Sequence, residues 1–301
     1  MSESRLRLAV TGLRGQVVSA LIERAPKNVE IIALGRPQLE LARREAVLAT
    51  LRHAGCDAII NAAAYTQVDR AESEPECAMK INGEGSGNVA EAASILNVPL
   101  LHLSTDYVFD GSLNRPYREE DETNPTSVYG RSKLAGEIRI RQTHQNHVIL
   151  RTAWVYSPFG TNFVKTMLRL GVERDEVSVV MDQIGNPTSA LEIADTLILL
   201  AKQLNENSAS VLRGTFHLTG RGDTSWADLA EAIFQTAETY GRKHVRVLRI
   251  TTQEYPTAAK RPMNSRLDNS KLQKIYSIKM RDWRSSLVPV VRRHLQENIR
   301  F

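Results

Sequence analysis

Residues Leu6 to Val18 read LRLAVTGLRGQVV. The first five form a short apolar run of the kind that makes a strand buried on both faces. Thr11-Gly12-Leu13-Arg14-Gly15-Gln16-Val17 then gives a tight glycine turn and a helix start. Bare N–H groups and the helix dipole at such a start favour an anion, and a pyrophosphate fits. Gly12 permits the turn and Gly15 lets backbone approach phosphate. A lone G-x-x-G often marks only a turn; its place after the first strand of a βαβ unit gives it weight. Val18 stands where the third glycine of the dinucleotide fingerprint is usual, which predicts a first helix set slightly farther from the sheet.

Working outward, runs at Val29–Leu34, Asp57–Asn61, Leu100–Ser104 and Val148–Arg151 predict four more strands. Amphipathic stretches at Val17–Glu23, Arg43–His53, Cys77–Ile95 and Lys133–Arg141 predict the helices between them. This alternation predicts an α/β, Rossmann-type doubly wound parallel sheet. The second half is less regular. Helices are expected at Phe163–Leu170, Leu191–Leu204, from Trp226 (capped by Thr224 or Ser225) and at Leu287–Asn298. Strands are expected at Gly214–Leu218 and Val245–Ile250. The domains are accordingly 1–155, binding the dinucleotide, and 156–301, a smaller α/β lobe that is mainly substrate-binding and interleaved with the first.

The chain has 301 residues, 24% charged and 42% hydrophobic, with 17 glycines and 11 prolines. That is ordinary for a folded protein and excludes wholesale disorder or a fibre. Cys56 and Cys77 are the only cysteines, which excludes a disulfide framework or thiolate zinc site and predicts a reducing, cytoplasmic setting. Cys56 reads as a small buried apolar residue. No stretch approaches a membrane span or signal peptide. The net charge is +5 and the isoelectric point about 9.2. The positive residues are scattered, so neither nucleic acid nor membrane is expected as partner.

Three further stretches carry chemistry. The second strand ends Leu34-Gly35-Arg36, where a site preferring NAD usually has an acidic residue for the ribose 2′-hydroxyl. Arg36, with Arg14, suits a 2′-phosphate instead, so NADPH is the preferred cofactor and NADH a possible one. Asn61-Ala62-Ala63-Ala64-Tyr65-Thr66 puts small residues at the carboxyl end of the third strand, where a ligand can lie against backbone. Ser104-Thr105-Asp106-Tyr107 ends the fourth strand, and Tyr129-Gly130-Arg131-Ser132-Lys133 opens a helix. Tyr129 and Lys133 share a helix face. A lysine cation beside a phenol lowers its pKa, and a Thr105 hydroxyl can align phenol and substrate carbonyl.

These motifs resemble the extended short-chain dehydrogenase/reductases. NAAAYTQVDRAESEPE (61–76), STDYVFD (104–110), VYGRSKLAGE (128–137), RTAWVY (151–156), NFVKTMLRL (162–170) and RPMNSRL (261–267) are similar to the dTDP-4-dehydrorhamnose reductase family across nearly the whole chain. The resemblance implies NAD(P)H-dependent reduction of the C4 ketone of dTDP-4-dehydro-L-rhamnose. It makes Tyr129 the proton donor, Lys133 its partner and holder of the nicotinamide ribose, and Thr105 their assistant at the sugar. Gly15, Gln16 and Val17 would lie under the pyrophosphate. Ala64, Tyr65, Thr66 and Leu103 would line the cofactor cleft, and Glu40 and Leu41 would flank the adenine. Asp106 and Trp154 would face the sugar nucleotide. Arg261 is a candidate for its diphosphate, also on charge grounds. Some relatives dimerise around Mg²⁺ held by glutamates. Glu192 and Glu297 match two such positions but Ala20 occupies the third, which implies no firm Mg²⁺ site and a monomer or weak homodimer. Two rival functions resemble this pattern: an NADP-binding, non-catalytic subunit like the regulatory subunit of methionine adenosyltransferase, and a nucleotide-sugar epimerase.

Overall fold

The structure, a computed structural model, describes residues 5–297. Leu6–Thr11 (β1), Val29–Leu34 (β2), Ala58–Asn61 (β3), Leu100–Thr105 (β4) and His147–Thr152 (β5) are all parallel. A sixth parallel strand, Gly214–His217, lies beside β5, giving the order Gly214–His217, β5, β4, β3, β1, β2. Alternate residues serve opposite faces. Leu8, Val10, Ile60, Leu101, Val148 and Leu150 pack beneath the helices Gln16–Arg24 (α1) and Ala190–Glu206. Ala9, Ile59, Leu100 and Ile149 pack on the other face with Val47, Leu51, Val89 and Ile140. This two-sided burial is why the strands read as continuous apolar runs rather than alternating ones.

Each of the first five strands falls within a residue or two of its expected span. Val18 is fully buried. A Cβ on Gly12 would sit 3.2 Å from its Cγ2, so valine fills the space under the turn that a third glycine would leave open. Cys56 is half-buried at the core's edge, against the expectation of full burial.

The second half differs more. The helix Ala190–Glu206 and the strand Gly214–His217 come from beyond residue 155 yet complete the first sheet. A separate core joins Val164, Leu168, Ile233, Phe234, Trp283 and Val290. It gathers the helices Phe163–Glu173, Trp226–Glu238 and Trp283–Glu297 around a parallel pair, Glu176–Val180 and Arg246–Ile250. Glu176–Val180 was not expected as a strand, because only two of its five residues are fully buried. Ser225 caps the Trp226 helix, accepting from Asp228 N. The last helix begins at Trp283, before the expected Leu287, and carries Pro289 within it; Asn298 lies outside the described residues. The stretch expected as one helix from Cys77 to Ile95 contains a π-helical segment, Met79–Glu84, between the helices Pro75–Ala78 and Gly85–Leu96. Among the described residues no helix is long and apolar enough to cross a membrane.

Candidate functional site

The site is a cleft at the carboxyl ends of β1 to β5, where open parallel sheets bind ligands. Its first wall is almost all backbone. Gly12 has φ +106° and Gly15 is the α1 N-cap, with no side chain bonded to the cap and no acidic residue in the first turn. The first helical N–H groups therefore lack side-chain acceptors, an arrangement suited to phosphate. The Gln16 side chain is engaged elsewhere. Its Oε1 accepts from Ser157 Oγ (2.8 Å) and Asn162 Nδ2 (3.0 Å), tying α1 to the second half of the chain. Half-buried Val17 follows it in α1.

At the end of β2, a Cβ on Gly35 would sit 2.8 Å from Leu13 Cγ. An acidic residue there would have to displace Leu13, in keeping with a basic reader at this corner. Arg14 and Arg36 are both exposed beside it. Glu40 is exposed, whereas Leu41 is buried in the core and its backbone O accepts from Asn88 Nδ2. Leu41 is thus a core residue and presents no open face beside Glu40.

The opposite wall is made of side chains. The helix Val128–Thr143 starts at Ser127, whose Oγ caps Gly130 N. Two glycines set how close it lies. A Cβ on Gly130 would be 2.2 Å from Tyr107 O, and one on Gly136 would be 2.3 Å from Asn82 O. Its buried face carries Glu137, whose carboxylate accepts from Ser104 Oγ (2.6 Å) and from Arg151 through Nε (3.0 Å) and Nη2 (2.7 Å). Helix, β4 and β5 are locked together by this buried pair.

On that frame Tyr129 stands half-buried in the first turn of the helix, with Thr105 at the end of β4. Thr105 Oγ1 donates to Asp106 Oδ1 at 3.0 Å and accepts from Tyr107 N at 3.2 Å. Tyr107 meets Tyr129 edge to face, centroids 5.6 Å apart. Burial, followed by the Asp106 charge, raises the Tyr129 phenol to about 12. This corrects the expectation that Lys133 lowers it. The Lys133 amine is instead held by Leu103 O at 2.7 Å, with His102 Nε2 at 3.4 Å. Burial lowers Lys133 to about 8. A phenol kept protonated at neutral pH suits a proton donor. Asp106 is buried with Oδ2 unpaired among the described residues, and burial raises its carboxyl to about 6.

Between the walls, Ala63 and Ala64 are half-buried and Thr66 is exposed. Tyr65 donates through its hydroxyl to Glu74 (2.7 Å). Its backbone N–H and O are both held by Asn82, which also donates to Ser132 Oγ at 2.9 Å. Asn82 stands in the π-helical segment, a feature frequent at functional sites. The sequence reading passed over it, because an asparagine inside a helical pattern gives no periodic signal.

Trp154 and Trp226 bring the two halves of the chain together. Trp154 has φ +48°, uncommon for a bulky residue and a conformation its surroundings must enforce. Its ring stacks on Trp226, centroids 3.6 Å apart, over Gly185, where a Cβ would come within 2.5 Å of the indole. Trp226, read from sequence only as a helix start, is thus the stacking partner of Trp154. Arg261 is not free for a diphosphate as expected. It forms a bidentate pair with Asp69, at 3.0 and 2.7 Å. The metal candidates lie apart from one another in purpose as well as in sequence. Glu192 accepts from Ser286 Oγ (2.6 Å), Glu297 pairs with Arg293 (2.8 Å), and Ala20 is fully buried against the sheet. A carboxylate at position 20 would point into the core. Among the described residues no group of three metal-ligating side chains exists.

The family model described as the RmlD substrate binding domain matches residues 6–296. A dTDP-4-dehydrorhamnose reductase of Sinorhizobium fredii is 49% identical over 93% of this chain and 95% of its own. That of Escherichia coli K12 is 42% identical over 81% of this chain and 82% of its own. The solved structure of the Bacillus anthracis dTDP-4-dehydrorhamnose reductase in complex with NADP superposes with a TM-score of 0.89 at 35% identity, over 95% of this chain and 98% of that one. With the family's motifs spread along the chain and similarity running nearly end to end, this protein belongs to the dTDP-4-dehydrorhamnose reductase family.

Proposed function

We propose that this chain reduces the C4 ketone of dTDP-4-dehydro-L-rhamnose to the alcohol of dTDP-L-rhamnose, using NADPH in preference to NADH. The observation that carries this reading is the placement of Tyr129, its phenol raised to about 12 and so protonated, one helical turn before a buried Lys133 on the helix beside β4. NADPH supplies the hydride when bound. The glycine turn and the uncapped α1 N-terminus fit its pyrophosphate, Arg36 and Arg14 its 2′-phosphate, and Ala63 to Thr66 and Leu103 the side of the cleft along which it lies.

Tyr129 donates its proton to the carbonyl oxygen as negative charge develops there. Thr105 orients the phenol and the carbonyl, and Lys133 binds the ribose and stabilises the phenolate left behind. Asp106 and Trp154 face the sugar nucleotide. Residues 1–155 mainly hold the cofactor and 156–301 mainly the substrate. A cytoplasmic enzyme, monomeric or weakly dimeric without Mg²⁺, feeding a rhamnose-containing surface glycan such as lipopolysaccharide O-antigen, completes the reading.

The test follows NADPH oxidation with dTDP-4-dehydro-L-rhamnose against GDP- and UDP-linked keto-sugars, with and without EDTA. Turnover specific to the dTDP sugar and indifferent to EDTA is expected. No turnover despite tight NADP⁺ binding would favour a non-catalytic subunit.

A further inference from the structure

Two carboxylates tie distant pieces of the chain to one short helix, Val68–Ala71. Glu72, just past its end, accepts through Oε1 from Val128 N at 2.8 Å, the residue before Tyr129. Asp69, within it, holds a segment from the far end of the chain. Its Oδ1 accepts from Ala259 N (3.1 Å) and Arg261 Nη1 (3.0 Å), and its Oδ2 from Arg261 Nη2 (2.7 Å). The guanidinium holds the Asp69 carboxyl below the usual carboxylate range. Both members of the pair are therefore charged at neutral pH, and the fork fixes their mutual orientation.

From that clasp the segment crosses the turn that follows β4. A Cβ on Gly111 would sit 2.6 Å from Pro262 Cβ and 2.9 Å from Met263 N, so the two backbones meet there with no room for a side chain. Asn264 Nδ2 then donates to Leu113 O (2.7 Å) and Arg115 O (2.8 Å). Residues 259–264 are thus fastened at one end by Asp69 and at the other by the backbone of 113–115. Arg261 also lies near Tyr107: burial raises the Tyr107 phenol, the Asp106 charge adds to the rise and the Arg261 charge opposes it. Tyr107 in turn meets the Tyr129 ring edge to face.

We propose that Asp69 is a positioning residue for sugar-nucleotide binding: through Arg261 and Ala259 it fastens residues 259–263 against the turn 106–111, and so holds Asp106 and Tyr107 in place beside Tyr129. Arg261 is the other half of this clasp and not a reader of the diphosphate. The inference rests on the reading of Asp106 as a residue that faces the sugar nucleotide. A turn fixed before its ligand arrives loses less freedom on binding than a loose one.

The two roles of Arg261 differ in sign. An arginine that gripped the diphosphate would be freed by Asp69→Ala, and the sugar nucleotide would bind more tightly. A clasp would be broken by the same substitution, and binding would weaken. For Asp69→Ala the KM of dTDP-4-dehydro-L-rhamnose should rise about fivefold, within the range of coupling between side chains in contact. kcat, NADP⁺ affinity and Tm should stay close to native. Arg261→Ala should raise KM by a similar factor, and the double variant should be no worse than either single one. An unchanged or lower KM in Asp69→Ala, or losses that multiply in the double variant, overturns the proposal. Hydrogen exchange of the cofactor-free protein reads the clasp directly. The Ala259 amide should exchange about tenfold faster in Asp69→Ala, with the Val128 amide unchanged; equal Ala259 rates in variant and native chain also overturn it. Because exchange is read without any sugar, failure of the clasp is separable from failure of the proposed reduction.

Discussion

The two walls of the cleft are built by opposite means. The α1 wall offers backbone: Gly12, Gly15 and Gly35, with exposed arginines at its rim. The wall made by β4 and the helix Val128–Thr143 offers side chains, nearly all buried and each held by another: Ser104 by Glu137, Glu137 by Arg151, Thr105 by Asp106, Lys133 by Leu103 O and His102. A diphosphate carries its charge wherever it binds, so a wall that recognises it needs only donors and room. A proton transfer needs one phenol in one place, and that requires a rigid, desolvated frame. The contrast teaches that stability and chemistry are coupled in the second wall and separable in the first.

The sharpest way to break the comparison is to remove Glu137. Its carboxylate is fully buried between Arg151 and Ser104. Glu137→Ala leaves the Arg151 charge uncompensated, which costs about 3–5 kcal/mol. Urea denaturation should show that loss. An equally large loss on substituting the exposed Arg36 would show that the walls do not differ.

Tyr129→Phe separates chemistry from framework within the second wall. Phenylalanine keeps the ring and its edge contact with Tyr107 but has no proton to give. kcat should fall at least ~10²-fold, while NADP⁺ affinity and Tm change little. Near-normal turnover would remove Tyr129 as proton donor.

Asp106 measures what the buried wall sacrifices. Its carboxyl ordinarily titrates at 3.8 and is raised to about 6, mainly by burial. The folded state thus holds the proton more tightly than the unfolded chain. Stability from this group is full below about pH 4 and is lost as pH rises through 6. Asp106→Asn, neutral at every pH, should be more stable than the native chain by about 2–3 kcal/mol at pH 7.5 and equal to it near pH 4, while turnover falls. Denaturation curves at the two pH values check this; a difference independent of pH would show that Asp106 is not strained by its charge.

How legible all this was in the sequence follows the same division. β1 to β5 announced themselves because strands buried on both faces have no alternation to hide. The glycine turn and the Tyr129–Lys133 spacing are local, and local geometry can be read from spacing. What stayed hidden depends on distant partners. Arg261 looked like a free cation, but its partner Asp69 is 192 positions away. The downward shift expected for Tyr129 reversed because spacing puts Lys133 on the same face but does not say where its amine goes. Gly130 and Gly136 carry no local signal; the approach to Tyr107 O and Asn82 O explains them.

The smallest expected effect belongs to the backbone wall, and it sharpens the comparison. Arg36 is exposed beside Gly35. On the proposed reading, removing it takes away a rim contact with the 2′-phosphate and leaves every backbone donor to the pyrophosphate in place. Arg36→Ala should therefore lower kcat/KM with NADPH by about tenfold, near 1.5 kcal/mol, the low end for a hydrogen bond to a charged group. With NADH, which has no phosphate at that position, kcat/KM should be unchanged, as should Tm. The native chain should favour NADPH, and the variant should lose most of that preference. Since the contact is with an exposed charge, the difference should also shrink as salt rises. A variant that loses equally with both cofactors would mean that Arg36 shapes the turn itself, and that the first wall too relies on a side chain for its form.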